Sequence, residues 1–354
     1  MNQQFLESLF IVDSHQDIAW NASLGRDFFE PAASWRSRVN DGEKYGERLV
    51  TLPDLLASQV RLVIGTIFVL PERAASKWEG YYTSLEEAHQ QGLAQLNFYK
   101  ELARRDSRVK LIRTPQELDE HIRAVEAGAQ ALGIIISMEG ADPITEPDQL
   151  GEWVEQGLRL IGPAWKETIY CGGTGEPGPL KPAGYRLLAE MQRQGVILDV
   201  SHMAEETFYN ALDAYRGTII ASHSNCRHIV NTDRQLSDDM IRRLVEREAV
   251  IGVVLYDRFL AGANASRKSN LEDVIRHMSH LCEIAGHTQC IALGTDWDGG
   301  FGGEAIPEPL TGLKDLPLLA EALLRNGFSE NDVRGIFYGN WLRILRRGLA
   351  PFAS

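Results

Sequence analysis

What most constrains this chain is a series of eight short apolar runs, rich in Val, Ile and Leu, spaced from one end of the sequence to the other. They are LFIVDSH (9–15), RLVIGTIFV (61–69), LGIIISMEG (132–140), LRLIGPAW (158–165), VILDVSH (196–202), TIIASH (218–223), AVIGVVL (249–255) and CIALGTD (290–296). Each is too short for a helix and too continuous for a strand with one face in water. That is the pattern of strands in a parallel sheet covered on both sides. Between them lie segments with helical spacing, such as those starting at Ser84, Lys181 and Asn270. Ser84 followed by Glu87 has the form of a capping box, and Gly195 and Gly286 stand where helix C-caps belong. Strict alternation of strand and helix means βαβ units, and eight of them predict an α/β protein with a (β/α)8 TIM-like barrel. No repeat, low-complexity tract or charge run marks a second domain, so residues 1–354 are expected to form one.

Composition narrows the function classes. With 44% hydrophobic and 24% charged residues the chain can bury a large core. Its net charge of −13 argues against a nucleic-acid partner, which would call for clustered Lys and Arg. The four cysteines, at 171, 226, 282 and 290, form no CxxC pair and are expected as reduced thiols. The stretch MNQQFLESLF lacks the pattern of a signal peptide, and no later segment approaches the roughly 18 apolar residues of a membrane span. A cytoplasmic protein without a membrane partner is expected, and a homodimer is compatible with a barrel of this size.

The strand ends carry the chemistry. Residues two apart on a strand point the same way, so Asp13, His15 and Asp17 are expected to share a face. His15 and Asp17 end the first strand, Glu139 the third, His202 the fifth, His223 the sixth and Asp296 the eighth. A barrel gathers such positions at its C-terminal mouth, where active sites lie. The remaining histidines read differently: His89, His121, His277 and His280 fall on predicted helices and are expected on solvated faces, and His228 and His287 fall in turns. Several carboxylates cannot leave water together without compensation. Divalent cations supply it, and mixed imidazole and carboxylate donors suit Zn2+, with Mn2+, Co2+ or Fe2+ as alternatives. Three His with Asp17 and Glu139 exceed the needs of one catalytic zinc, which points to two ions with Glu139 between them. Two such ions share a water and lower its pKa, so hydrolysis is the default chemistry. Asp296 is free to carry the proton from that water to the leaving group. Asp298, lying past the strand, is the weaker claimant.

These residues resemble the membrane (renal) dipeptidases, the M19 group of zinc metallopeptidases. The resemblance rests on DSHQD (13–17), SMEGAD (137–142), LDVSHM (198–203), ASHSNCR (221–227) and GTDWDG (294–299), five motifs in order over nearly the whole chain. It implies a TIM-like barrel with two zinc ions that hydrolyses dipeptides. His15 and Asp17 would hold one ion, His202 and His223 the other, Glu139 would bridge, and Asp296 would be the acid/base. Arg234, eleven residues after His223, matches an arginine that binds the substrate carboxylate, a task its bidentate fork suits.

One departure bears on substrate. After the fourth strand the family usually reads Leu-Thr-His, and here GPAWKETIYCGG puts Trp165 at that place. Trp offers one N–H donor and an apolar face and accepts nothing. Lys166 or Tyr170 could restore a polar contact. The expected substrate is a dipeptide, or a related amide with a free carboxylate. The alternative is a same-fold binuclear hydrolase acting on another amide or ester, such as an N-acyl amino acid, a cyclic amide or a lactone. A non-catalytic binding protein is the third reading, and retention of every candidate ligand speaks against it. The long connection at 20–50 stands over the same mouth, where a lid would lie.

Overall fold

The computed structural model describes residues 3–76 and 78–351. All eight apolar runs are strands: β1 (Ile11–Gln16), β2 (Val60–Phe68), β3 (Leu132–Glu139), β4 (Leu158–Gly162), β5 (Ile197–Asp199), β6 (Ile219–Ile220), β7 (Ile251–Val253) and β8 (Ile291–Leu293). Their neighbours follow chain order from β1 to β6, and β7 pairs with β8. The registered pairs β3–β4, β4–β5, β5–β6 and β7–β8 are all parallel. This is the α/β class with the strand order of a (β/α)8 fold, and the burial of every residue of β1 and β3 explains why these runs never alternate with polar residues.

The chain divides into two compact, interleaved units. The first comprises Met1–Ile18, Asp27–Val63 and Ser222–Arg343, and the second Ala19–Arg26, Ile64–Ala221 and Ile344–Ser354. In the first unit, Ser14 on β1 donates from Oγ to the carbonyls of Ser222 and Leu293, the latter at 3.0 Å. That close approach explains two glycines: a Cβ at Gly252 or Gly294 would stand 2.0 Å from the Ser222 carbonyl oxygen. In the second unit β3 is buried along its whole length, and the hairpin of Cys171–Gly173 with Glu176–Leu180 accounts for the Gly- and Pro-rich connection.

Helix signals mostly land where expected. In α1 (Leu85–Arg105), Ser84 accepts from the Glu87 amide. The Glu87 carboxylate reaches one residue further back than a capping box requires, to the Thr83 amide at 2.7 Å. α2 (Pro182–Gln194) and the later helix Leu271–Ala285 end at Gly195 and Gly286, both left-handed, with φ of 68° and 74°. No helix among the described residues is long and apolar enough to cross a membrane.

The helical histidines need correction. His121 is buried and His277 fully so, where solvated faces were expected. Periodicity locates a polar residue on a helix but says nothing of partners across the packing interface. His277 accepts from the Cys226 amide at Nδ1, 3.1 Å away, and its Nε2–H lies 3.2 Å from the Leu260 carbonyl. Burial lowers its pKa to about 4, which keeps the ring neutral. A depressed histidine stabilises the fold above its unfolded value near 6.5 and withdraws that stability as pH falls towards about 4. The advantage of the native protein over His277→Gln in denaturant midpoint is therefore expected to shrink across that window, by at most roughly 3 kcal/mol. A gap that is constant with pH would contradict a neutral buried ring.

Candidate active site

The first unit supplies one group of donors. β1 delivers His15 at its end and Asp17 just beyond, and Asp296 stands three residues past the end of β8, just before a turn. The ligand atoms of His15, Asp17 and Asp296 lie within 4.8 Å of one another. His15 Nε2 stands 3.6 Å from Asp17 Oδ2 and 3.9 Å from Asp296 Oδ1. The His223 ring stacks on that of His15 with centroids 3.7 Å apart. All four side chains are buried. Arg234 is buried as well, donating to the His223 carbonyl at 2.6 Å and to Ser224 Oγ at 3.2 Å, with its guanidinium over the Phe259 ring.

Asp13 shares the strand but not the cluster. Its carboxylate accepts from the Thr295 amide at 2.9 Å, from Thr295 Oγ1 at 2.6 Å and from Gln16, which fastens β1 to the end of β8. Full burial still raises its pKa. Asp298 is also spoken for, since it accepts from the amides of Leu49 and Val50 and so anchors the far end of the 20–50 connection.

Asp296 sits in the left-handed region at φ 61°, as does Asp298 at 66°. For residues with a Cβ that conformation is uncommon and gathers at functional sites. Burial pushes the Asp296 carboxyl up to about 7; His15 and Arg234 pull it down, and Asp17 and Asp13 add to the rise. The space beside it is tight. A Cβ on Gly299 would come within 2.3 Å of Asp296 Oδ1 and 3.0 Å of Asp17 Oδ2, so only glycine fits there.

The second unit brings together Glu139 and His202, whose Oε1 and Nε2 are 3.2 Å apart. His202 is left-handed at φ 65°. Trp165 lies beside it, with ring centroids 6.3 Å apart, at the near end of an aromatic panel in which Trp165 meets Phe68, Phe68 meets Trp20 and Trp20 meets Trp78. Lys166 reaches towards Glu176 with its ammonium 3.9 Å from the carboxylate. Tyr170 is fully buried, and its hydroxyl donates to the Ile144 carbonyl.

Two polar partners escaped the sequence reading. Thr174 Oγ1 lies 3.0 Å from His202 Nδ1, and Ser222 Oγ lies 2.8 Å from His223 Nδ1. In each ring a hydroxyl engages Nδ1 and leaves Nε2 as the outward donor, the arrangement metal-binding histidines adopt. Ser222 precedes His223 in the chain and was within reach of the sequence, but Thr174 is 28 residues from His202 and was not. The donor chemistry of both groups, imidazole with carboxylate, fits a divalent metal ion.

Comparison with known proteins agrees. The family model for membrane dipeptidase, peptidase family M19, matches residues 1–349. A solved structure described as dipeptidase AC, a metallopeptidase of family M19, is 25% identical, with a TM-score of 0.79 over 98% of this chain and 100% of that one. A metallopeptidase from Rhodobacter sphaeroides, liganded with a phosphinate mimic of the dipeptide L-Ala-D-Ala, shares the fold at 24% identity, with a TM-score of 0.80 over 96% and 99% of the two chains. Dipeptidase aclJ of Aspergillus oryzae is 32% identical over 168 residues, which is 48% of this chain and 39% of that protein. The chain thus spans well under half the length of that curated relative.

Thr174→Val removes the hydroxyl from His202 Nδ1 at nearly constant volume. Metal affinity in a chelator competition is expected to fall about 10- to 100-fold with circular dichroism unchanged. Unaltered affinity would mean that the ring orientation does not depend on that bond.

Proposed function

Because the chain belongs to the membrane dipeptidase family, peptidase family M19, we propose that it is a zinc-dependent dipeptidase that hydrolyses the amide bond of a dipeptide carrying a free carboxylate. The observation that carries this is the gathering of His15, Asp17, His223 and Asp296 in one buried group, with Arg234 fixed on the His223 backbone beside it. We assign His15 and Asp17 to one ion, His202 and His223 to a second, and Glu139 to both, the ions being Zn2+ or, in its place, Mn2+, Co2+ or Fe2+. The hydroxyls beside the Nδ1 atoms of His202 and His223 support this assignment, because they occupy Nδ1 and leave Nε2 as the ligand atom. The family match over residues 1–349 supports a single domain over residues 1–354.

Bound divalent cations supply Lewis acidity, polarising the scissile carbonyl and making water acidic enough to furnish a nucleophile near neutral pH. The chain's own residues do the rest. Asp296, held up to about 7 by burial, takes a proton from the attacking water and returns it to the leaving amine. Arg234 receives the substrate carboxylate, its guanidinium held in place by its bonds to the His223 carbonyl and Ser224. Trp165 packs along the acyl side of the substrate. Tyr170, with its hydroxyl on Ile144, supports the loop beneath Trp165. The four cysteines form no disulfide, and burial raises the pKa of every thiol, which supports a reducing, cytoplasmic location.

The second reading, cleavage of N-acyl amino acids, is favoured by one feature: an aromatic panel asks for apolar bulk and does not require a free amine. On dipeptides and N-acyl amino acids alike, bulky apolar acyl groups should be turned over faster than glycyl or acetyl ones. Trp165→Ala should erase that preference, lowering kcat/KM on the bulky substrates about ten-fold. An unchanged ranking would separate Trp165 from specificity. Chelation should abolish turnover, and Zn2+, Mn2+ or Co2+ should restore it. Asp296→Asn should keep its metal by elemental analysis and lose about 100- to 10,000-fold in kcat. Inactivity of metal-loaded protein on the whole panel would remove the peptidase reading.

A further inference from the structure

Away from that centre, the first unit holds another set of ligand atoms within 4.8 Å of one another, those of His228, Asp238 and His280. His228 is exposed on the segment after β6. Asp238 is the first residue of α3 (Asp238–Glu246), whose N-cap is Ser237. His280 lies on α4 (Leu271–Ala285). The two imidazoles stack with centroids 4.6 Å apart and planes 14° from parallel. His280 Nε2 stands 2.9 Å from Asp238 Oδ1, and its Nδ1 faces Glu283 Oε2 at 3.7 Å.

Two features mark this as more than a surface ion pair. Asp238 and Glu283 bracket the His280 ring, so that with its proton at Nδ1 towards Glu283 the ring offers Nε2 to a cation that Asp238 also binds. The two imidazoles and the carboxylate also come from three separate stretches of chain, and a divalent cation is a partner that both donor types share.

We propose that His228, Asp238 and His280 form a peripheral Zn2+ site, with water completing the tetrahedron, separate from the catalytic pair. Two nitrogens and one carboxylate oxygen are the donors of known three-ligand zinc sites. Its position gives it a consequence. His228 falls five residues after His223 and six before Arg234 in the sequence, on a segment already tied to α4 by the Cys226 amide on His277. A cation there fastens the middle of that segment to the start of α3 and to α4, and so holds the stretch that carries Arg234.

The test is a Zn2+ titration of metal-free protein by calorimetry, comparing the native chain with His228→Ala/His280→Ala and with Asp238→Asn, a near-isosteric change that guards against misfolding. The native chain is expected to take up one equivalent more than the double variant, at micromolar free Zn2+. Hydrogen exchange across residues 226–234 should slow as that equivalent binds, and Asp238→Asn should weaken the same step at least ten-fold. This difference holds whatever number of ions the catalytic centre takes, so failure of the dipeptidase reading leaves it intact. Equal stoichiometry in the native chain and the double variant, or an extra equivalent that leaves exchange over 226–234 unchanged, would overturn the proposal.

Discussion

The cost of keeping carboxylates out of water organises the first unit. Asp13, Asp17, Asp296 and Asp298 are all buried there, and each must be compensated or its desolvation would cost several kcal/mol. Two are compensated by the fold. Asp13 accepts from Thr295 and Gln16, and Asp298 accepts from the Leu49 and Val50 amides, so these carboxylates join chain segments far apart in sequence. Asp17 and Asp296 are instead drawn to the ring of His15. Hydrogen bonds from side-chain and backbone donors of distant segments thus mark the carboxylates that build the site. This explains why the period-two pattern of Asp13, His15 and Asp17 yields two site residues and one rivet.

Backbone strain recurs at the candidate site. Among the described residues outside the glycines, five are left-handed, and three of them are His202, Asp296 and Asp298, the others being Ser76 and Glu248. Each of those three stands just after a strand, where turning the chain sharply aims a polar side chain back over the strand end. Gly299 completes the device on the Asp296 side, since any larger residue would run into the carboxylates the turn has positioned. Conformations of this kind persist only when the surroundings hold them. The Asp298 bonds to Leu49 and Val50 and the Thr174 bond to His202 are such holds.

These facts bear on how much could be read from the sequence. The eight strands were legible because strands covered on both faces must be continuously apolar, and the candidate ligands were legible because polar residues ending such runs stand out. The left-handed turns were not, since His and Asp adopt that conformation more readily than most residues but occur far more often outside it, so neither marks it as Gly does. His277 was misread because its partners, the Cys226 amide and the Leu260 carbonyl, come from elsewhere in the chain. The division into two units was also invisible, because one boundary falls inside β2, between Val63 and Ile64, where composition does not change.

Trp165 is where the chain's chemistry parts from its family's pattern, and physics limits what that change can mean. An indole cannot accept a proton or carry charge, so it cannot take over the polar work of a histidine near the scissile carbonyl. What it adds is area: aromatic side chains bury large surfaces, and here the ring continues through Phe68 and Trp20 to Trp78 as edge-to-face pairs, the geometry that aromatic quadrupoles favour. A panel of four rings packed in this way is stiff, and it can discriminate by apolar fit with little reorganisation. On the proposed reading, polar stabilisation of the reacting carbonyl would fall to bound metal ions and to groups fixed by the backbone, and the side chain at position 165 would set which acyl groups are held long enough to react. A Trp in place of a His would trade a hydrogen bond common to every substrate for burial that depends on the substrate's shape, which would shift such an enzyme from general to selective.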